Sequence, residues 1–220
     1  MKLEGLKINF LGDSITEGCG TSGGEHCFVG RIAKEYGAVT RNYGIGGTRI
    51  APQHKPSVNP RWDLDFCSRV AEMDPDADLI CVFGGTNDFG HGDAPFGTFE
   101  DRTAETFCGA LHTLFVSLIE KYPAAKIMVM TPLHRRGEYD SVGGDGGKPE
   151  GSPVLLDYVN MIRRVAEYYS LPVLDLYAVS GMQPAVDVIR QRYMPDRLHP
   201  NDAGHVILTD LIARFIETTS

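Results

Sequence analysis

The chain has 220 residues, of which 42% are hydrophobic, 23% charged and 9% aromatic. At a prior of roughly 150 residues per domain, that suits one compact domain spanning 1–220. With 21 Lys and Arg against 29 Asp and Glu, the formal charge is −8, which speaks against nucleic acid or an anionic membrane surface as a partner.

No apolar run approaches the roughly 18 residues of a membrane span, and Glu4, Gly5 and Lys7 interrupt any signal-peptide core. The five cysteines are scattered and form no CxxC, so they read as reduced thiols of a cytoplasmic protein. In chain order, short apolar runs predict strands over Lys7–Leu11, Val39–Asn42, Asp78–Phe83, Lys126–Thr131 and Pro172–Leu176. Amphipathic stretches between them predict helices near Cys27–Gly37, Trp62–Met73, Arg102–Tyr122, Val154–Tyr169 and Ala203–Ile216. In the third of these, Phe107, Leu111, Leu114, Phe115, Leu118 and Ile119 recur at three- and four-residue steps and mark a buried face. The runs Ile80–Phe83 and Ile127–Met130 are continuously apolar, as strands become when helices cover both sheet faces. Regular β-α alternation implies a mostly parallel sheet with right-handed crossovers.

In such a sheet the ligand crevice lies beyond the carboxyl ends of the strands, so the loops after each strand carry the functional reading. They are Gly12–Gly18, Asn42–Thr48, Gly84–Asp88, the long Pro132–Ser152, and the segment that ends in Asp196–Asn201. The loop over 132–152 is glycine-rich near its end and long for a compact domain, which predicts a lid or a disordered surface segment. Acyl transfer requires a nucleophile, a base, a group that orients the base, and donors for the oxyanion. Ser14 in a glycine turn is a candidate nucleophile, His199 a candidate base, and Asp196 three residues earlier a candidate orienting group. Gly47 offers a backbone N–H and Asn87 a side-chain amide.

Other chemistry-bearing residues read as structural. Asp13 and Asp88 suit turn capping, and Asn201 suits a helix N-cap. His205 is six residues from His199 and off its helical face, which excludes a shared metal site. His26, His54, His91 and His134 read as solvated loop residues, although the strand-end placement of His91 and His134 leaves contact with substrate open to those two. Cys67, Cys81 and Cys108 read as small core residues. There is no Walker lysine motif, no complete dinucleotide fingerprint and no GxSxG elbow.

Taken together, Gly12-Asp13-Ser14, Asn42 to Gly47, Gly84-Gly85-Thr86-Asn87-Asp88 and Asp196-x-x-His199-Pro200 stand in the order of four sequence blocks. Their arrangement resembles that of the SGNH hydrolase (GDSL esterase/lipase) family over essentially the whole chain. The resemblance implies a flavodoxin-like three-layer α/β/α sandwich with a five-stranded parallel sheet. It also implies Ser14 as nucleophile, His199 as base and Asp196 as its partner. The Ser14 amide, the Gly47 amide and the Asn87 side chain would form the oxyanion hole. No metal and no cofactor is expected, and the partner would be a small-molecule ester.

The polar composition of 132–152 and of Thr48–Arg61 suits a short acyl group, acetyl above all, on a polar or carbohydrate alcohol, with Phe89, Phe96 and Phe99 as a small apolar or sugar-stacking cluster. A lysophospholipase or acyl thioesterase of the same family is the alternative. From a different class, a flavodoxin-like phosphate- or flavin-binding module would explain the first glycine turn, but not Asn87 together with Asp196 and His199.

Overall fold

The computed structural model describes residues 1–219. Five parallel strands form the sheet: β1 (Lys7–Gly12), β2 (Val39–Gly44), β3 (Leu79–Phe83), β4 (Lys126–Met130) and β5 (Val173–Leu174), in the order β2-β1-β3-β4-β5. All four pairings are parallel, with Lys7 opposite Val39, Ile8 opposite Leu79, Leu79 opposite Lys126 and Val129 opposite Val173. Nine helices accompany the strands among the described residues: α1 (Ser14–Glu17), α2 (Phe28–Tyr36), α3 (Phe66–Arg69), α4 (Thr86–Gly90), α5 (Phe107–Lys121), α6 (Leu155–Tyr168), α7 (Leu176–Val179), α8 (Asp187–Tyr193) and α9 (Asp202–Thr218).

Alternation along the strands divides the interior into two layers. Ile8, Phe10, Cys81, Phe83, Met128 and Met130 point into a cluster with Phe28 and Ile32 of α2 and Leu208 and Ile212 of α9. Leu11, Ile80, Val82, Ile127 and Val129 point into the opposite cluster with Phe66 of α3, Leu111 and Phe115 of α5, and Val159 and Ile162 of α6. The result is the three-layer α/β/α sandwich that the alternation and the family resemblance both led one to expect.

Element ends follow local chemistry. The Thr106 hydroxyl accepts the Gly109 N–H and starts α5 at the first periodic residue, Phe107, five residues after the expected start at Arg102. Asn201 Oδ1 accepts the Gly204 N–H and caps α9, as expected of that residue.

The helix expected over Trp62–Met73 is broken. A 3₁₀ turn covers Pro60–Asp63, α3 follows, and a second 3₁₀ turn covers Val70–Glu72. The break sits at Asp65, whose side chain accepts the Ser68 N–H and restarts the helix. Short polar residues that bond nearby backbone outcompete helix continuation at such points.

The segment 132–152 is folded into turns and anchored to the domain, contrary to the expectation of a lid or a disordered loop. Arg135 is 2% exposed. It donates to the Thr86 carbonyl at 3.0 Å and pairs with Asp145 at 2.8 Å. The Asp145 N–H in turn donates to the Gly90 carbonyl.

Candidate active site

The strand order reverses direction around β1: the chain goes from β1 to β2 on one side, then crosses back to β3 on the other. Loops that leave β1 and β3 at this point diverge and open a crevice. Ser14 follows β1 and Asn87 follows β3, so topology alone brings them together.

Ser14 is placed by its neighbours. A Cβ at Gly12 would lie 2.5 Å from Thr16 Cβ, so only glycine lets the strand turn directly into α1. Asp13 Oδ1 accepts the Ile15 N–H at 2.9 Å and caps that helix. The buried Asp13 carboxyl is pushed up to about 6, mainly by loss of solvent, with the Ile15 N–H acting against the shift.

Ser14 Oγ lies 3.0 Å from His199 Nε2, and His199 Nδ1 lies 2.6 Å from Asp196 Oδ2. The other Asp196 oxygen accepts the N–H groups of Leu198 and His199 at 2.9 and 2.7 Å. Burial opposes charge on Asp196, yet the His199 ring and these two N–H groups hold its carboxyl below the usual range. The tight turn between them requires Arg197 to take φ +64, an uncommon conformation for a side chain of this size. An ionised Asp196 fixes the imidazole so that Nε2 faces the serine hydroxyl.

The second loop is held against Ser14. Glu17 Oε2 accepts the Gly46 N–H at 2.7 Å, and Arg61 pairs with the same carboxylate. Gly47 has φ +78, and its N–H has no protein acceptor among the described residues. Asn87 Nδ2 donates to the Thr48 carbonyl at 2.9 Å, which uses one of its two amide hydrogens. The Ser14 N–H, at the first position of α1, is likewise without an intrahelical partner. The expected residues Ser14, Gly47, Asn87, Asp196 and His199 therefore meet at one edge of the sheet. Such an arrangement can move a proton off a hydroxyl and hold a developing oxyanion.

Two residues at this edge, Trp62 and Arg69, escaped the sequence reading. Trp62 lies on the face of Gly47, where an added Cβ would fall 2.6 Å from Trp62 Cγ. The Trp62 carbonyl accepts from Arg49 Nη2, and its ring stands 5.9 Å from that of His91. Buried Arg69 donates to the carbonyls of Gly12 and Tyr43 and to Thr48 Oγ1, at 3.1, 2.7 and 3.0 Å. It thus joins the ends of β1 and β2 to the Gly47 loop. Asp88, expected to cap its own turn, instead accepts the distant Ile50 and Ala51 N–H groups, both at 2.9 Å, and ties α4 to the same loop.

His91 is no solvated loop residue: burial, with Arg49 beside it, pushes its pKa down to about 4. His134 is bonded to Glu138 at 2.9 Å. The three phenylalanines do not line the site as a group. Phe89 is wholly buried beneath Arg135, and Phe99 packs with His112, Tyr168 and Arg164; only Phe96 borders a surface hollow. Among the described residues, no three His, Cys, Asp or Glu are grouped as a metal ion would need, and no helix is long and apolar enough to cross a membrane.

Comparison with known proteins matches residues 10–207 to the GDSL-like Lipase/Acylhydrolase family. The chain belongs to that family. As a member it is a carboxylic ester hydrolase, and the flavin-binding alternative falls away. An acetylxylan esterase from Geobacillus stearothermophilus is 26% identical over 237 aligned positions, covering 96% of this chain and 94% of its own length. A protein from Lactobacillus plantarum, known from its crystal structure, superposes with a TM-score of 0.83 at 27% identity, with 99% of each chain covered. A two-domain esterase active on acetylated mannans shares the fold, with a TM-score of 0.58 at 23% identity. That match covers 97% of this chain and 49% of the other.

Proposed function

We propose that this GDSL-family esterase removes short acyl groups, acetyl above all, from a polar or carbohydrate alcohol through an acyl-enzyme on Ser14. The observation that carries the assignment is the hydrogen-bonded chain from Ser14 Oγ through His199 to Asp196, at 3.0 and 2.6 Å.

His199 Nε2 accepts the hydroxyl proton as Ser14 Oγ attacks the ester carbonyl. The Ser14 and Gly47 N–H groups and the second amide hydrogen of Asn87 receive the tetrahedral oxyanion. His199 then returns the proton to the departing alkoxide. In the second half, it takes a proton from water, whose oxygen attacks the acyl carbonyl and releases Ser14. Asp196 stays ionised throughout and balances the imidazolium. Neither a metal nor a cofactor enters these steps.

Short acyl chains follow from what borders the site. Trp62 closes the face of Gly47, and Glu17, Arg61, Arg49 and His91 surround it. A long acyl chain needs a continuous apolar wall to collect about 0.8 kcal/mol for each buried methylene, and these side chains interrupt one. The acetylxylan esterase relative supports the acetyl-carbohydrate reading, and five free thiols suit a reducing, cytoplasmic setting.

Turnover of nitrophenyl esters of two to sixteen acyl carbons tests the chain-length reading. The expected kcat/KM is highest at two to four carbons and falls steeply by eight. Activity that climbs toward twelve or sixteen carbons would replace the reading with a lysophospholipase or thioesterase. Turnover of acetylated xylotriose and mannotriose, followed by released acetate, tests the alcohol.

A further inference from the structure

His199 Nε2 must reach the departing alkoxide, so the alcohol part of the substrate lies on the His199 side of Ser14, away from Gly47 and Asn87. On that side the strand-4 loop meets the histidine loop directly, because the Arg136 N–H donates to the Arg197 carbonyl at 2.9 Å. Between them is a hollow of about 430 Å³, bordered by Arg136, Tyr139, Asp140, Gln183, Pro184 and Arg197. Its volume falls within the roughly 300–1,000 Å³ of small-molecule sites.

The lining has two kinds of surface. Tyr139 is 67% exposed, a large apolar ring left in water at the rim. The Arg197 guanidinium and the Asp140 carboxylate make no hydrogen bond or ion pair to protein among the described residues. Five N–H donors and a carboxylate acceptor therefore stand beside an open aromatic face.

The wall behind them is fixed. Glu138 accepts from His134 at 2.9 Å and from Gln183 at 3.1 Å, and the His134 ring lies 3.9 Å from that of Tyr177. A pyranose has this same duality, with an apolar face of C–H groups and a rim of hydroxyls that both donate and accept. A fatty alcohol would strand the guanidinium and the carboxylate against hydrocarbon, which is costly.

We propose that this hollow, beside the His199 loop, is a subsite for a sugar unit of the departing alcohol, a pyranose ring stacked on Tyr139 and hydrogen-bonded by Arg197 and Asp140. The proposal rests on the carbohydrate-ester reading above and adds where, and by which residues, the sugar is held. A second hollow, of about 570 Å³, is bordered by His91, Lys148 and Tyr158 and lies past the end of α4, the helix that carries Asn87.

The test uses the full chain. Acetylated xylotriose and mannotriose are compared with nitrophenyl acetate in wild type, Tyr139→Ala, Tyr139→Phe and Arg197→Ala. The ratio of kcat/KM for the trisaccharide to that for nitrophenyl acetate should fall at least tenfold in Tyr139→Ala and Arg197→Ala, through KM, and stay within threefold of wild type in Tyr139→Phe. In a Ser14→Ala background, calorimetric binding of the same trisaccharides should weaken by a similar factor for the two alanine variants.

An unchanged ratio and unchanged binding in both alanine variants would overturn the subsite while leaving the carbohydrate reading intact. If wild type releases no acetate from either trisaccharide yet cleaves nitrophenyl acetate, the carbohydrate reading fails and the subsite fails with it. The two failures are therefore told apart by the wild type alone.

Discussion

Replacing Asn87 by Ala removes a side chain with one observed contact and one proposed task. One amide hydrogen donates to the Thr48 carbonyl at 2.9 Å; the other is the proposed oxyanion donor. Loss of an oxyanion donor lowers kcat by roughly 10²–10³, about 2.7–4 kcal/mol of transition-state stabilisation, and leaves ground-state binding nearly unchanged. Loss of the Thr48 contact leaves a buried carbonyl unpaired, because no other donor reaches it among the described residues. That costs about 1–3 kcal/mol of stability, and at roughly 2–4 °C per kcal/mol for a chain of this length it lowers Tm by about 2–12 °C.

Steady-state hydrolysis of nitrophenyl acetate at a temperature well below Tm separates the two effects. The expected result is a kcat at least a hundredfold lower with KM within about threefold of wild type. Asn87→Asp keeps the volume but brings a negative charge toward both the oxyanion and the Thr48 carbonyl, so its kcat should be no higher than that of the alanine variant. A variant that loses Tm but keeps kcat within threefold of wild type would show Asn87 to be a structural peg, and the oxyanion assignment would fall.

Ser14→Ala should abolish turnover with a change in stability under about 1 kcal/mol, and a fluorophosphonate probe should label wild type but not the variant; equal labelling would remove Ser14 from the mechanism. Gly47→Ala should displace Trp62, the one tryptophan, shifting its emission and lowering kcat, since the φ of +78 and the close indole both oppose a Cβ. Asp13 binds a proton more tightly folded than unfolded, at about 6 against 3.8, so stability should fall as pH rises through roughly 4 to 6, by about 3 kcal/mol. Asp13→Asn should flatten that slope in urea titrations from pH 4 to 8; parallel curves for the two proteins would refute it. Arg69→Lys should lower kcat and Tm together, because an ammonium cannot span the carbonyls of Gly12 and Tyr43 and the Thr48 hydroxyl at once.

The sheet was legible because β1, β3 and β4 are short, largely apolar runs and all five strands alternate with helical stretches, and each lies within two residues of its expected limits. The parallel pairing followed from alternation, and the pairing of Ser14 with His199 from the four sequence blocks. The helix across Trp62–Met73 was misread because Phe66, Val70 and Met73 do recur at helical steps and are buried, while the competing bond from the Asp65 side chain leaves no periodic trace. Helices α1 and α4 are too short for periodicity to register; in α1 the only local signal is Asp13 before Ser14. The fixed loop over 132–152 was illegible for a different reason. Its glycines and charges resemble a solvated segment, and the bonds that pin it run from Arg135 to Thr86 and from Asp145 to Gly90, across 49 and 55 positions. Pairings of that range are set by the fold and carry no local signature.

Three buried arginines explain how loops can hold a catalytic geometry. Segments that leave a sheet lose their ladder partners, and every buried carbonyl there must find another donor. Arg69, Arg49 and Arg135 are 4%, 2% and 2% exposed. Among their acceptors are the carbonyls of Gly12, Tyr43, Trp62 and Thr86, one from each segment around the candidate site. A planar guanidinium meets several such carbonyls at once, with little freedom left in the side chain. The charges are themselves balanced: Arg49 by Asp63 at 3.0 Å and Arg135 by Asp145 at 2.8 Å, while Asp13 acts on Arg69 through space. An oxyanion hole stabilises charge only if its donors need not reorganise when the charge appears. Here the Gly47 amide is held by Glu17 on one neighbour, Arg69 on the next, and Trp62 across its face. These anchors restrain the backbone around Gly47, in a segment that belongs to no strand.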